Sequence, residues 1–342
     1  MDLIKIKVNL PEKVYAVLET DMEAFGFLKQ NGTPNKNGYI NAIIRNFFKM
    51  FADRELEVIT RIRDQIHVKD EDIPAIANMF FEERYKKEGN YTKELQFIIQ
   101  KENLDIYEEI IELYLANRSI SQYFREMLIL FTSYPMDKRE NILFKDIVSK
   151  IRMGIENNRK AIVYLTDGSK KTMDLYGIFG TGEQIFNYLI GVELNGNRRE
   201  TATYRLNKVK NVVIIPDMTR AISEDEKEKL DLMVYQGPIF PINEIVDAKV
   251  KLDENGKTLF RLWIHDRPKP YKVDGNIYYF KSSLNHLVIY FYKFGNTAKF
   301  LSPDSAKKFI KEQFKKAEEL YWHVLLYYSF DYSAICFWNC FT

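Results

Sequence analysis

Residues 160–215 read KAIVYLTDGSKKTMDLYGIFGTGEQIFNYLIGVELNGNRRETATYRLNKVKNVVII. Apolar positions in this stretch alternate or cluster between turn signals at Asp167-Gly168, Gly180–Gly182 and Asn195–Asn197. A period of two, interrupted by Gly and Asn, is typical of short antiparallel strands joined by tight turns. The stretch therefore predicts four or five short strands in a small, strongly bent antiparallel sheet.

The same stretch carries a cluster of basic and aromatic residues that could converge on one groove. Positive charges follow the phosphates of a nucleic acid and aromatic rings stack on unpaired bases, which suits single strands more than a duplex. The predicted site comprises Lys171, Tyr188, Arg198, Arg199, Tyr204, Arg205 and Lys208. In the alternative interpretation, Tyr188 is buried within its apolar strand, and the arginines pair with Glu183, Glu193 and Glu200.

The order of these residues resembles the WYL domain of bacterial regulators. The resemblance is carried by Tyr164, Asp167-Gly168, Lys171, Gly177-Ile178, Asn187-Tyr188-Leu189, Arg198-Arg199 and Tyr204-Arg205-Leu206-Asn207-Lys208-Val209. It implies a small SH3-like or Sm-like β-barrel over residues 156–216 that senses nucleotides or nucleic acids through a basic groove. The chain departs from the pattern at Asn187, where the family has Trp, and at Leu175, where it has Pro.

Residues 287–321 are similar to the extension that follows WYL domains. They combine an apolar run, Phe294-Gly295, a strand, Ser302-Pro303 and a closing basic amphipathic helix. The resemblance implies a C-terminal α/β extension over residues 243–321, preceded by a linker over residues 217–242.

The first residues alternate apolar Ile4, Ile6, Val8 and Leu10 with polar Lys5, Lys7 and Asn9, which predicts a half-buried strand. Pro11 suits the first turn of a helix, and a second amphipathic helix follows. This order over residues 1–52 resembles a ribbon-helix-helix module, an obligate dimer whose paired strands can enter the DNA major groove. The resemblance implies a homodimer and a ribbon site at Lys5, Lys7 and Asn9. Alternatively, the ribbon only joins two protomers and its lysines are solvated.

Residues 53–155 are predicted to be a helical spacer, because apolar residues recur at three- and four-residue spacing. The segment from Ile120 to Phe131 parallels the segment from Ile40 to Phe51, including an Arg at the same place, Arg125 and Arg45. It could be a degenerate second copy of the first module without a clear strand, or simply another amphipathic helix.

The chain lacks the motifs of an enzyme, and we expect neither a metal nor a cofactor. Its four histidines are scattered without metal-ligand spacing, and the glycines of residues 177–182 lack the helix and Lys of a phosphate-binding loop. Two cysteines in 342 residues indicate a reducing cytoplasm. The apolar tail, residues 322–342, is interrupted by polar residues, so we do not expect a membrane span.

The net charge is only +2, but basic residues are unevenly distributed. Residues 151–216 carry ten Lys and Arg against six Asp and Glu, whereas residues 51–150 carry fifteen against twenty. The positive excess lies in a segment that is predicted to contact nucleic acid.

The α+β multidomain arrangement resembles the accessory proteins of type VI-D CRISPR systems. It implies a non-enzymatic protein that binds single-stranded RNA and raises the activity of an RNA-guided RNA nuclease. A ligand-responsive DNA-binding transcription regulator and a nucleotide-binding WYL protein are the alternatives, and the sequence does not choose among RNA, single-stranded DNA and a nucleotide.

Overall fold

A computed structural model describes residues 3–65, 69–86, 90–115, 117–180 and 186–329. The chain is α+β, as predicted, and it forms two compact units. The first unit contains residues 1–180, 185–189 and 204–220, and the second contains residues 181–184, 190–203 and 221–342. The last part of the predicted apolar tail, residues 330–342, lies outside the described residues.

The first unit begins with strand β1 (Lys5–Leu10), whose alternate residues are buried as the sequence pattern predicts. The strand pairs in antiparallel register with β2 (Lys93–Ile98) of the same chain, and Lys7 lies opposite Gln96. We call this pair the ribbon. The prediction that a second protomer pairs with β1 is therefore wrong, because β2 supplies the backbone partner within the chain.

Each ribbon strand is followed by helices that bury one apolar face. The helices of this unit are α1 (Glu12–Ala24), α2 (Lys36–Gln65), α3 (Ile73–Lys86), α4 (Leu104–Glu109), α5 (Ile120–Thr132), α6 (Met136–Leu143) and α7 (Lys145–Glu156). Phe47 of α2 contacts Phe131 of α5 edge to face, with ring centroids 5.5 Å apart. The segment predicted to be a wholly helical spacer thus also contains β2, and α5 packs against α2 in the core of the unit.

Buried ion pairs hold these helices together. Arg118 contacts Glu55 at 2.7 Å and Glu126 at 2.5 Å, and all three side chains are less than 5% exposed. Because a buried charge is costly without a partner, the arginine fixes α2 and α5 to the loop that precedes α5. Asp21 similarly accepts hydrogen bonds from Arg139 of α6 and from the Tyr39 hydroxyl.

A five-stranded sheet follows the helices. Its strands are β3 (Arg159–Leu165), β4 (Lys170–Phe179), β5 (Tyr188–Asn195), β6 (Arg198–Arg205) and β7 (Val209–Thr219), in the spatial order β6-β5-β4-β3-β7. The five strands agree with the predicted number, but the predicted closed barrel is not observed. Within the described residues the sheet is open, with β6 and β7 at its edges, because no pairing joins these two strands.

The predicted linker, residues 217–242, contains helix α8 (Glu224–Gln236). Ser223 caps its first turn, and Glu226 bonds back to the Ser223 backbone in a capping box. This reciprocal pair satisfies backbone groups that would otherwise lack a hydrogen-bond partner at the start of the helix, so half of the predicted linker is regular structure.

The rest of the second unit is a four-stranded antiparallel sheet with helices, which we call the C-terminal sheet. Its elements are β8 (Val246–Leu252), α9 (Glu254–Leu262), β9 (Lys272–Asp274), β10 (Ile277–Ser282), α10 (Leu284–Tyr292), β11 (Ala298–Ser302) and α11 (Asp304–Ser329). The strand order is β11-β8-β10-β9, and each neighbouring pair is antiparallel. The extension is therefore α+β rather than the predicted α/β. In the described part of the chain, no helix has the length and apolar character to cross a membrane.

Candidate nucleic-acid interface

One end of the β3–β4 hairpin carries an exposed aromatic ring and a lysine on the same face. Tyr164 lies directly opposite Lys170, because the turn at Asp167-Gly168 fixes the register of the two strands. Lys170 is exposed, and Tyr164 keeps 36% of its surface accessible. Cross-strand neighbours of this kind lie about 5 Å apart, so the ring and the charge can contact the same ligand.

Two further lysines lie beside this hairpin end. The Thr166 amide donates to the Lys208 carbonyl at 2.9 Å, which holds the turn against the start of β7. Tyr164 is opposite Asn211 and Leu165 is opposite Val209, so Lys210 is the extra residue of a β-bulge. Lys208 and Lys210 are both exposed.

We call Tyr164, Lys170, Lys208 and Lys210 the hairpin-end patch. Its three lysines form no ion pair with another described residue, and Asp167 is the acidic side chain in the adjoining turn. Hydrogen bonds from Ser169 lower the pKa of Asp167, which keeps that carboxylate charged. The patch still has an excess of positive charge, which is the requirement for contacting phosphates.

Buried polar contacts hold the sheet that presents this patch. Lys160 of β3 and Asp174 of β4 form an ion pair at 2.7 Å in the interior. Asn187 precedes β5 and donates its amide N–H (2.6 Å) and its side-chain amide (3.0 Å) to Glu140 of α6. The residue that replaces the Trp of the WYL pattern thus binds the helical region, and burial raises the pKa of Glu140 to about 7.

The predicted groove residues do not form one described site. Lys171, Tyr188, Tyr204, Arg205 and Lys208 belong to the first unit, whereas Arg198 and Arg199 belong to the second.

Arg199 is engaged in its own unit. Its guanidinium contacts the Glu226 carboxylate at 2.8 Å and also donates to the Ala221 carbonyl. Burial tends to raise the pKa of Glu226, but the hydrogen bonds from Arg199 and Ser223 outweigh it and lower the pKa. In the alternative interpretation the arginines pair with Glu183, Glu193 and Glu200. Glu183 lies outside the described residues, and Arg199 has an acidic partner in α8, Glu226.

Arg205 is also engaged. It is half-buried, lies over the Phe186 ring and donates to the carbonyl of Ala24, the last residue of α1. Burial lowers the pKa of its guanidinium. Asn207 donates to the same Ala24 carbonyl at 3.1 Å, so both side chains hold the sheet to α1.

The other predicted residues differ in exposure. Tyr188 is 8% exposed, so its ring has almost no free face for a base, as in the alternative interpretation. Lys171 and Tyr204 are half-buried, and Arg198 and Lys208 are exposed.

The ribbon places Lys5, Lys7 and Asn9 on its outer face, as predicted. Lys7 forms an exposed ion pair with Glu94 of β2 at 2.5 Å. The carbonyls of Lys7 and Asn9 accept hydrogen bonds from Ser121 and Arg125 of α5, so α5 closes the outer edge of β1.

Sequence reasoning missed the cations that the structure exposes most clearly. Lys170 precedes the predicted site residue Lys171, and Lys210 lies two residues after Lys208, but neither was predicted to belong to the site. The sequence does show that Lys170 follows a turn signal and that Lys210 lies near the start of a strand. It also missed the alternation in VDAKVKL, residues 246–252, which predicts a strand with lysines on one face. Across the ranges that the structure describes, no cluster of His, Cys, Asp and Glu could hold a metal ion.

Comparison with solved structures identifies the fold of the chain. No family model matches the chain, and no curated protein matches it. Among solved structures, the chain is similar to one described as the crystal structure of a CRISPR Cas-related protein, with a TM-score of 0.68 and 16% identity. The match covers 94% of this chain and 95% of that one.

A second solved structure is the proteasome accessory factor B/C of Arthrobacter aurescens, with 13% identity over 64% of this chain and 36% of that chain. Its TM-score of 0.23 is too low to establish a common fold.

The TM-score of 0.68 and the coverage of the first match show that the chain has the fold of the CRISPR Cas-related protein over nearly its whole length.

Proposed function

We propose that this protein is a non-enzymatic accessory protein of a CRISPR system, which binds single-stranded RNA and modulates an RNA-guided RNA nuclease. The observation that supports this most strongly is the common fold with a CRISPR Cas-related protein over 94% of the chain. The sequence resemblance to the accessory proteins of type VI-D systems points in the same direction.

The hairpin-end patch is the part of the WYL-like sheet that supports RNA binding best. Three exposed lysines can neutralise phosphates, and the accessible ring of Tyr164 can stack on an unpaired base. This differs from the groove predicted from the sequence, because Arg199 and Arg205 are already bound within the chain. Lys208 is the predicted residue that this site retains.

The first prediction tests the patch. Lys170→Gln, Lys208→Gln and Lys210→Gln together should weaken binding of an unstructured single-stranded RNA, because each lysine lost removes a phosphate contact. The slope of log affinity against log salt should become shallower by about 2, since each contact on a single strand contributes about 0.7. Fluorescence anisotropy over a salt series measures both quantities.

A matched control replaces three other lysines of the same unit, Lys13, Lys29 and Lys49, by Gln. They are exposed and form no ion pair among the described residues. If the control weakens binding as much as the patch variant, overall charge rather than the patch holds the RNA. The nuclease step is tested by adding the protein to a guide-loaded type VI-D nuclease, and an unchanged RNA cleavage rate would contradict it.

The second candidate function is a DNA-binding transcription regulator that uses the ribbon. One observation favours it: β1 and β2 already form the two-stranded ribbon that a ribbon-helix-helix protein assembles from two chains. We infer that the chain contains two such modules in tandem, with Lys5, Lys7, Asn9 and Gln96 on the outer face. Tight binding to one duplex sequence, lost in Lys5→Gln with Lys7→Gln, would favour this function over RNA binding.

A further inference from the structure

The C-terminal sheet has one covered face and one open face. Its chain order is strand, helix, two strands, helix, strand, and β8 and β10 lie at the centre. Ala248, Val250 and Phe280 point to the covered side, where they pack against Phe260 of α9 and Phe291 of α10. On the other side, Lys249, Lys251 and Lys281 are exposed and Tyr279 is half-buried, so this face is accessible to solvent.

Lysines from all four strands occupy the open face. Lys249 lies opposite Tyr279, and Tyr279 lies opposite Lys272 on its other side. Lys251 lies opposite Lys299 of the edge strand β11. Together with Lys281, these five lysines are exposed, and none forms an ion pair with a residue that the structure describes.

Acidic residues do not cancel this charge. Asp247 and Asp274 are the carboxylates on the same strands, against five lysines. Asp247 lies opposite Lys281 and accepts two hydrogen bonds from the Tyr271 hydroxyl, at 2.9 and 3.2 Å. Two carboxylates against five lysines leave this face with an excess of positive charge. A surface of this composition complements a polyanion.

Two tyrosines lie among the lysines. The Tyr279 ring lies between Lys249 and Lys272, whose ammonium groups are 5.6 and 5.1 Å from its centroid. Tyr271 is 49% exposed, and its ring centroid is 6.1 Å from that of Tyr279. Rings that are held in place and flanked by flexible cations can stack on bases while the cations reach the phosphates.

We propose that the open face of the C-terminal sheet is a separate binding surface for single-stranded RNA. The surface consists of Lys249, Lys251, Tyr271, Lys272, Tyr279, Lys281 and Lys299. RNA-recognition motifs bind unpaired bases in the same way, on the exposed aromatic residues of a four-stranded sheet. A duplex keeps its bases stacked inside, so tyrosine stacking selects single strands. The surface does not depend on the hairpin-end patch, because no residue is common to both.

The second prediction tests this surface in the full chain. Lys249→Gln, Lys251→Gln, Lys272→Gln and Lys281→Gln together should weaken binding of an unstructured 20-nucleotide RNA by about tenfold or more, and the salt slope should become shallower by about 3. Tyr279→Leu keeps an apolar side chain but removes the stacking ring, and it should weaken binding by about tenfold without changing the slope. Circular dichroism checks that each variant is folded.

The control replaces four exposed lysines of α11 by Gln, namely Lys307, Lys308, Lys311 and Lys316, which changes the net charge equally. A photo-crosslinking RNA should also attach to peptides that contain Tyr271 or Tyr279. Equal losses in the face variant and the α11 control would overturn the proposal, as would a preference of this surface for duplex RNA.

The two RNA surfaces can fail separately. If the hairpin-end variant binds RNA normally and the sheet variant does not, the proposed patch is wrong and the C-terminal surface stands. If only the hairpin-end variant loses affinity, the C-terminal surface is wrong.

Discussion

Glu140 shows how one buried carboxyl group can couple stability to pH. One of its oxygens, Oε2, accepts both hydrogen bonds from Asn187, and the other, Oε1, is buried without a partner among the described residues. Burial disfavours the charged form and raises the pKa to about 7, although the Asn187 hydrogen bonds act in the opposite direction. Oε1 is the oxygen on which a proton costs no existing hydrogen bond.

The third prediction follows from this raised pKa. Between about pH 4.5 and pH 7 the unfolded chain has lost the Glu140 proton while the folded chain keeps it. The folded state then binds more protons, so the stabilisation from this group is complete below pH 4.5 and is lost as the pH rises through 7. Glu140→Gln mimics the protonated acid and should reduce the loss of unfolding free energy between pH 5 and pH 7.5.

Urea unfolding at pH 5 and pH 7.5 measures this loss of unfolding free energy in the wild type and in the Gln variant. The double comparison removes contributions that other titrating groups make to both proteins. An identical pH dependence in the two proteins would show that Glu140 is ionised in the folded state throughout this range.

The contacts of individual side chains were the feature of this molecule that the sequence predicted least well. The sequence places Arg199 and Arg205 in a basic cluster, but it does not show that Glu226 and the Ala24 carbonyl reach them from α8 and α1. These partners are 27 and 181 residues away along the chain. Local composition cannot distinguish an arginine that awaits a phosphate from one that a distant acceptor already holds.

At the level of elements, strong periodicity was predictive and weak periodicity was not. The four alternating apolar residues from Ile4 to Leu10 predicted β1, and the turn signals of residues 160–215 predicted the strands of the open sheet. In β2 the fully buried alternating residues are only Leu95 and Phe97. So short a pattern carries little signal, although β2 determines whether the ribbon needs a second chain.

The fourth prediction concerns the ribbon. Lys7 and Gln96 are cross-strand partners, so Lys7→Cys with Gln96→Cys should form a disulfide within one chain. The native Cys336 and Cys340 are replaced by Ser in this experiment to remove competing thiols. Mass spectrometry after oxidation at high dilution should find an intramolecular bond, and non-reducing gel electrophoresis should show a monomer.

Single Cys variants at Lys7 and at Gln96 are the controls. If the double variant forms mainly disulfide-linked dimers, with a yield that rises with concentration, the ribbon is built from two chains and the in-chain pairing is wrong.

At the scale of the whole molecule, the two compact units are discontinuous in sequence. Residues 190–203 belong to the second unit, although they lie within the stretch predicted to be a single domain, residues 156–216. The contacts explain this division, because Thr201 donates its amide to Asn243 at 2.6 Å and Thr203 donates to the Pro238 carbonyl. Continuous boundaries drawn from sequence cannot represent such an arrangement.

The fifth prediction follows from these contacts. A fragment of residues 1–220 keeps every strand of the open sheet but loses the partners of Arg199, Thr201 and Thr203. Backbone amides of residues 198–203 should therefore exchange with deuterium faster in the fragment than in the full chain. Residues 159–165 are the internal control, because β3 pairs with β4 and β7 in the first unit.

Hydrogen–deuterium exchange with mass spectrometry measures both segments in one experiment. Equal protection of residues 198–203 in the fragment and the full chain would show that residues 221–342 do not stabilise β6. Loss of protection in both segments would show that the fragment has unfolded, which would contradict the first unit as a compact body.

The pairing of β1 with β2 has a consequence for how this protein can vary. Two identical chains that share a ribbon must present the same residues on both strands, and they come apart on dilution. Here the outer residues Lys5 and Lys7 face Ile98 and Gln96, so the two halves already differ. Because both strands belong to one polypeptide, the ribbon forms at any protein concentration, and a substitution changes only one half. The surface is therefore free to match a ligand that lacks two-fold symmetry.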